Sequence, residues 1–337
     1  TMLDQHRKSD ARLASGRAGH GLGCKARGRR DVADFRKKVQ EATGIDPAGP
    51  NRRFMAQCYG EPDFRWRVEN WGLHPDNCRV IGMAYSDLIL APPYTRADIA
   101  PLFQGIDILA RKNVLVSITW HYGGIFARQP RAGDRLRRIF RPDGGERSAE
   151  DARFIRDLIE GIDAEGANTI LCLHSTHRYD QRFFNEMLNL ASRSSSIAVR
   201  LKDRDLDNLA DLVASDAMAS NLSSFITYKY LQGQPTIHLC PARGLRSIYE
   251  AEHRHGRLGA RKAGGREAIW MNEPEDNGGL TAYTFDETLE GIRRGLREPD
   301  CCAERAAAWV GKRIFRPDGN SCSSFAEALR ELCDRPL

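Results

Sequence analysis

The sequence has no apolar run approaching the roughly 18 residues that a membrane-spanning helix needs, and its first 30 residues are too basic and too broken for a signal peptide. A cytoplasmic chain is therefore expected. None of its nine cysteines stands in a C-x-x-C pair, and the only close pair is the adjacent Cys301 and Cys302. Metal sites rarely use that spacing, and reduced thiols in a reducing compartment fit best. No set of His, Cys, Asp and Glu has metal-ligand spacing, and the HRH of residues 253–255 sits in a basic helical segment that needs no metal to explain it. G-x-S-x-G, the Walker A spacing and a dinucleotide fingerprint are absent as well. Neither a metal nor a cofactor is expected.

What is present is an ordinary globular composition, 337 residues with 41% hydrophobic and 28% charged. That length accommodates two domains of roughly 150 residues each. The net charge of +6 is concentrated at the start: residues 1–30 hold eight Lys and Arg against two acids, and the remainder balances at 43 against 43. A basic arm over residues 1–18 attracts phosphate, nucleic acid or anionic lipid, although a solvated terminus has the same composition. Peripheral contact with a membrane surface is the expectation for this arm, and no nucleic-acid partner is expected.

From residue 79 onward short β-branched runs alternate with helical patterns. Strands are predicted at 79–83, 113–120, 168–174, 196–201, 210–215, 235–240 and 267–271. Helices are predicted at 148–163, 180–192, 223–232, 246–254, 285–297, 301–313 and 322–333. Apolar runs of this length between helices belong to a parallel, doubly wound α/β sheet. The turn-rich LAPPYTRAD places a domain boundary at about 105–112, after an irregular first third. RIFRPDG occurs twice, at 138–144 and 313–319, and reads as two similar tight turns.

In such a sheet ligands bind beyond the carboxyl ends of the strands. The run LVASDAMASNLSSFITYKYLQG puts Asp216, Ser223 and Ser224 between an apolar stretch and a helix. Hydroxyls at a helix start suit a phosphate, and one of them equally suits a plain N-cap. His174 closes the strand NTILCLH and has His177 as its local competitor. A His there donates to a phosphate oxygen or acts as a general acid; a structural role is the simpler alternative. Thr119, Trp120 and His121 end another strand on the same rim. GHGLGCK supplies His20, a proton acceptor for a hydroxyl, and Lys25, an anion neutraliser, in a glycine-rich segment that also reads as a flexible arm.

In this order the segments GHGLGCK, VIGMAYSD, NVLVSITW, ILCLHS and NLADLVASDAMASNLSSFITYKYLQGQPTIHL resemble the CDP-glycerol glycerophosphotransferase family of teichoic acid and capsule synthesis. PEDNGGLTAYTFDETLEGI resembles the loop and helix that follow in that family. The family carries Trp-His-Gly followed by Lys, a strand ending in His-Pro, and Ala-Asp-x-x-x-x-Asp-Tyr-Ser-Ser before a helix.

The resemblance implies a GT-B-like fold: a partial N-terminal, acceptor-side domain over 19–110, a nucleotide-donor domain over 111–300, and C-terminal helices over 301–337 that cross back. It implies that His20 is the catalytic base and that His174 contacts the donor's phosphate. Ser223, Ser224, Asp216 and Thr119 would hold the donor's phosphates, and Lys25 the acceptor or an anion. The departures are Gly19 for Trp, Ser175 for Pro, and a box in which Asp216 lies seven positions before Ser223, with AMASNL lengthening the loop. Roughly half of a GT-B N-terminal domain would precede residue 19, which suggests truncation upstream of Thr1.

The expected function is transfer of a glycerophosphate or sugar unit from a nucleotide-diphosphate donor to a hydroxyl of a cell-surface polymer, at the inner face of the membrane. The partners are a nucleotide-activated donor and a polymer or lipid-linked acceptor. The alternatives are a UDP-GlcNAc 2-epimerase-like enzyme on the same fold and a degenerate, non-catalytic binding module.

Overall fold

The computed structural model describes residues 15–17, 29–118, 145–173, 181–201, 208–220, 225–239 and 277–334. They fall into two units. The first comprises the described residues up to Ala91 and those from Val310 onward, and the second those between Pro92 and Trp309. Each is built on a parallel sheet.

The second unit carries six strands, β4 (Asn113–Ile118), β5 (Asn168–Leu173), β6 (Ile197–Leu201), β7 (Ala217–Ser220), β8 (Thr236–Leu239) and β9 (Leu280–Ala282). They lie side by side in the order β6-β5-β4-β7-β8-β9, all parallel. The chain steps outward from β4 through β5 to β6, returns to β7 on the other side of β4, and continues outward. This is the doubly wound order with its switch point between β4 and β7.

Alternation along the strands divides the sheet into two faces. Val114, Val116, Leu171, Leu173, Ala219 and Ile237 pack with Ile155, Leu158 and Ile162 of the helix Gly145–Ala164 and Ile292 of the helix Phe285–Arg297. Burying each of these branched side chains contributes roughly 1.5–3 kcal/mol. The helix Phe285–Arg297 starts where Thr284 accepts from the Glu287 N–H and the Glu287 carboxylate accepts from the Tyr283 N–H. It ends with Arg294 and Arg297 in its last turn, where cations suit the dipole. Gly295 lets it lie against Pro235, because a Cβ there would come within 2.7 Å of the proline side chain.

The first unit holds β1 (Ser15–Arg17), β2 (Phe54–Cys58) and β3 (Cys78–Val80), parallel with β2 in the centre. All five residues of β2 are buried. Phe54, Ala56 and Cys58 face a cluster with Val39, Trp71 and Leu73. Met55 turns the other way, onto Ile81 and Leu332 of the helix Ser321–Asp334. At the end of β2 the chain meets the returning segment closely. The Phe315 N–H donates to the Tyr59 carbonyl at 2.7 Å, and a Cβ on Gly60 would fall 2.2 Å from the Arg313 carbonyl oxygen.

Three sequence expectations change. The run 210–215, read as a strand, is the helix Asn208–Ala214. Leu209, Ala210, Asp211, Leu212 and Ala214 are all buried, and a short apolar run buried on every side carries no periodicity to tell helix from strand. AMAS, read as part of a long loop, is β7, four buried residues at the heart of the sheet. The division between units falls at Ala91 and Pro92, ahead of the expected 105–112. The reason is the segment around the one-turn helix Arg96–Ile99, which Arg96 ties to Asp216 of the second unit.

The remaining elements differ from expectation mainly at their ends, and the helix expected from Ser223 runs over Ile226–Leu231. The elements expected at 246–254 and 267–271, and the first RIFRPDG, lie outside the described residues. In the second RIFRPDG, Gly319 takes φ 84°, the turn conformation its sequence suggests. Among the described residues no helix is long and apolar enough to cross a membrane.

Candidate functional site

The switch point brings together the carboxyl ends of β4, β5 and β7. Ile118 is paired with Leu173, and Ser117 with both Cys172 and Ser220. The Ser220 hydroxyl donates to the Ser117 carbonyl at 2.6 Å, tying β7 to β4 across the point where the strand order reverses. On the chain Thr119 follows Ile118, His174 follows Leu173, and residues 221–224 follow Ser220. Thr119, His174, Ser223 and Ser224 lie outside the described residues, as do His20 and Lys25.

One face of the sheet carries a polar row a single residue below this rim. Arg200, Cys172, Ser117, Ser220, His238 and Thr281 stand in register on the strands β6, β5, β4, β7, β8 and β9. Its members are bonded mostly to groups outside the row. Arg200 donates to Asp211 at 2.7 Å and lies over the Phe103 ring, and the Cys172 thiol is 3.8 Å from Asp211. The Tyr230 hydroxyl is hydrogen-bonded to His238 Nε2, and the Tyr230 ring lies 5.0 Å from that of Trp309. Burial, reinforced by the charge of Arg305, pulls the His238 imidazole down to about 3, so it is neutral at physiological pH and unsuited to proton transfer there. Reading PTIHL as a plain strand overlooked this histidine, because a fully buried, hydrogen-bonded His in a strand has no local sequence signal.

Asp216 stands elsewhere. It precedes β7, at the amino-terminal edge of the sheet, and both its oxygens are engaged. Arg96 reaches them through Nη1 at 3.3 Å to each and through Nη2 at 3.2 Å to Oδ1, while the Asn113 N–H donates to Oδ2 at 2.8 Å. Lys112 is 3.8 Å away. This corrects the expectation that Asp216 faces a donor phosphate: it holds the starts of β4 and β7 in register, at the end of the strands opposite the rim. Close by, the buried Lys229 amine donates to the Leu212 carbonyl at 2.8 Å, the Ser215 carbonyl at 2.7 Å and the Gln234 side chain. Three acceptors match the three N–H donors of an ammonium group. Burial pushes its pKa well down, and the carboxylate of Asp216 works against that.

The position of β7 also re-registers the motif. With AMAS as the four strand residues, Ser215-Asp216 falls on Ala-Asp and Asn221-Leu222-Ser223-Ser224 falls on Asp-Tyr-Ser-Ser. No insertion is needed. The residue that stands at the second acidic position of the box is Asn221, which sequence reasoning missed by treating the strand as loop.

No group of three or more His, Cys, Asp or Glu side chains among the described residues is placed to hold a metal ion.

No protein-family model and no curated protein sequence matches the chain. Solved structures do. The wall teichoic acid polymerase TagF superposes with a TM-score of 0.59 at 12% identity, over 94% of this chain and 67% of that one. A substituted variant of TagF gives 0.60 at 10% identity over the same shares. A variant soaked with CDPG gives 0.58 at 11% identity, over 93% of this chain and 66% of that one. The chain thus spans about two thirds of the length of the solved chains it matches, and its α/β architecture of parallel sheets is the GT-B fold of TagF.

Proposed function

We propose that the chain is a GT-B type transferase of the CDP-glycerol glycerophosphotransferase family. It moves a glycerophosphate or sugar unit from a nucleotide-diphosphate donor to a hydroxyl of a cell-surface polymer. The single observation that carries this reading is the re-registered box: β7 ends at Ser220, on the carboxyl rim beside the switch point, and Asn221-Leu222-Ser223-Ser224 follows it directly. That is where a doubly wound sheet binds a nucleotide.

In this proposal Ser223 and Ser224 donate to the donor's phosphate oxygens, and Thr119, next after β4, adds a third hydroxyl. His174, next after β5, donates to the phosphate as the nucleotide leaves. His20 takes the proton of the acceptor hydroxyl, and Lys25 neutralises an anionic acceptor. Donors that are in place before the reaction stabilise charge developing on the leaving group without reorganisation, and such preorganised stabilisation supplies much of the rate enhancement in many transfer reactions. Asp216 has no part in the donor site. A lipid-linked polymer presented at the inner face of the membrane, approached through the basic arm, is the acceptor this reading calls for.

Calorimetric titration of the full chain with CDP and with UDP tests the proposal. Binding of either in the millimolar range or tighter is the expected result, and no heat with either would sink it. The non-catalytic alternative draws on Asn221, Gly19 and Ser175 at positions where the family has Asp, Trp and Pro. It predicts nucleotide binding with no release of CMP from CDP-glycerol and no UDP from UDP-sugars when acceptor is supplied. Appearance of the 2-epimer from UDP-GlcNAc would mark the epimerase reading instead.

A further inference from the structure

Cys301 and Cys302 occupy the short connection between the helices Phe285–Arg297 and Ala303–Arg313. Their backbone is fixed: the Cys301 N–H donates to the Glu298 carbonyl at 3.0 Å, and the Cys302 carbonyl accepts from the Ala306 N–H at 2.8 Å. The two sulfurs stand 3.8 Å apart. Cys302 is fully buried, its Sγ 3.9 Å from the Thr236 carbonyl at the start of β8, while Cys301 is half-buried. The pair has no part in the proposed donor site, since Thr236 begins β8 at the edge of the sheet opposite the rim.

A direct disulfide suits this geometry poorly. Adjacent Cα atoms are about 3.8 Å apart, below the range of roughly 4.4–6.8 Å that unstrained disulfides span. A single larger bridging atom relieves that conflict, because it joins the sulfurs without drawing them into bonding contact. Burial and the neighbouring thiol push Cys301 up to about 11, which keeps it protonated and slow toward alkylating agents and oxidants. Capture by two thiols at once does not depend on a free thiolate to the same degree.

We propose that Cys301 and Cys302 form a dithiol clamp for a thiophilic trivalent metalloid, of which arsenite is the probe. Arsenous acid, As(OH)3, exchanges two hydroxyls for the two sulfurs. Each Sγ–H proton leaves with a departing hydroxyl as water, two As–S bonds replace two As–O bonds, and the third hydroxyl stays. Arsenic remains trivalent and neither sulfur is oxidised. Soft sulfur donors select such a centre over hard cations. Cys301 is the point of entry and Cys302 closes the ring.

The test is electrospray mass spectrometry of the reduced, folded full chain titrated with arsenite. The expected result is one arsenic adduct on the wild-type chain. Its apparent affinity should fall by at least roughly 10²-fold in Cys301→Ser and in Cys302→Ser, the scale on which a linked pair of contacts exceeds one, and be unchanged in Cys58→Ser. Absence of an adduct on the wild-type chain, or an adduct kept by both variants of the pair, overturns the proposal. Because Cys302 is buried and its variant is at risk of misfolding, arsenic K-edge absorption on the unaltered chain gives an independent readout. Two sulfur neighbours and one oxygen support the clamp, and three sulfurs refute it.

Discussion

Arg96 holds Asp216 from 120 residues away, with both terminal guanidinium nitrogens on the carboxylate and its Nε donating to the Val213 carbonyl at 3.2 Å. The pair joins the segment that opens the second unit to the start of β7. It makes Asp216 a structural carboxylate whose two oxygens also receive the Asn113 N–H.

Asp216→Ala should therefore destabilise the fold by about 1.5–3 kcal/mol, the scale of a hydrogen bond to a charged group, since Arg96 and the Asn113 N–H lose their acceptor together. Chemical denaturation gives the loss. Nucleotide affinity of the folded variant should match wild type, and a selective drop in that affinity at unchanged stability would return Asp216 to the donor site.

Within the first unit a similar long connection closes the other end of the chain. Asp87 accepts from the Ser321 N–H at 3.1 Å and the Cys322 N–H at 2.7 Å, capping a helix 234 residues later. Free N–H groups at a helix start are costly when a carboxylate cap is removed. Asp87→Ala should cost about 0.5–2 kcal/mol, with Asp87→Asn losing less. Hydrogen exchange should show the added opening concentrated in the helix Ser321–Asp334, and a loss spread evenly over the chain would contradict the cap.

His238 gives the fold a signed pH dependence. Its folded-state pKa, held down to about 3 by burial, lies below the unfolded value near 6.5, so the unfolded chain binds the extra proton between those limits. The contribution is constant above pH 6.5 and is lost as pH falls from 6.5 toward 3. Each pH unit in that window costs about 1.4 kcal/mol, so roughly 2 kcal/mol disappears between pH 7 and pH 5. Comparing the wild-type chain with His238→Gln isolates this slope. Parallel stability profiles across pH 5–7 would show that the imidazole accepts a proton in place.

Much of the fold is legible in the sequence where one periodicity dominates. The helix Phe285–Arg297 announces its cap, its charged ends and its apolar stripe, and it appears with the same bounds. The strands β4 and β5 are six-residue, mainly apolar runs and also start where they read. The errors cluster where small residues are buried on all sides. AMAS lacks the bulky β-branched side chains that mark a strand, although it lies between β4 and β8. The run 210–215 reads as a strand because Leu212 and Val213 are apolar, yet it is a helix with its polar Asp211 buried against Arg200. The misplaced Asp216 follows from that exchange: a strand moved by seven residues carries its neighbour from one edge of the sheet to the other. The site is less legible than the scaffold because its proposed groups lie on the segments that follow the strands, where spacing carries no periodicity.

The serines that follow β7 are open to a direct test. If Ser223 and Ser224 each give one hydrogen bond to an anionic phosphate, removing either hydroxyl forfeits a charge-assisted contact of about 1.5–3 kcal/mol. That corresponds to roughly a ten- to hundredfold weaker Kd for CDP or UDP. Ser223→Ala and Ser224→Ala should show that loss by calorimetry while denaturation midpoints stay close to wild type. Ser220→Ala separates position from chemistry, because its hydroxyl is already committed to the Ser117 carbonyl across the switch point. That variant should lose stability while its folded fraction keeps its affinity. Serines that merely cap the helix leading to Ile226 would give the opposite pattern, with stability lost at 223 or 224 and nucleotide affinity unchanged.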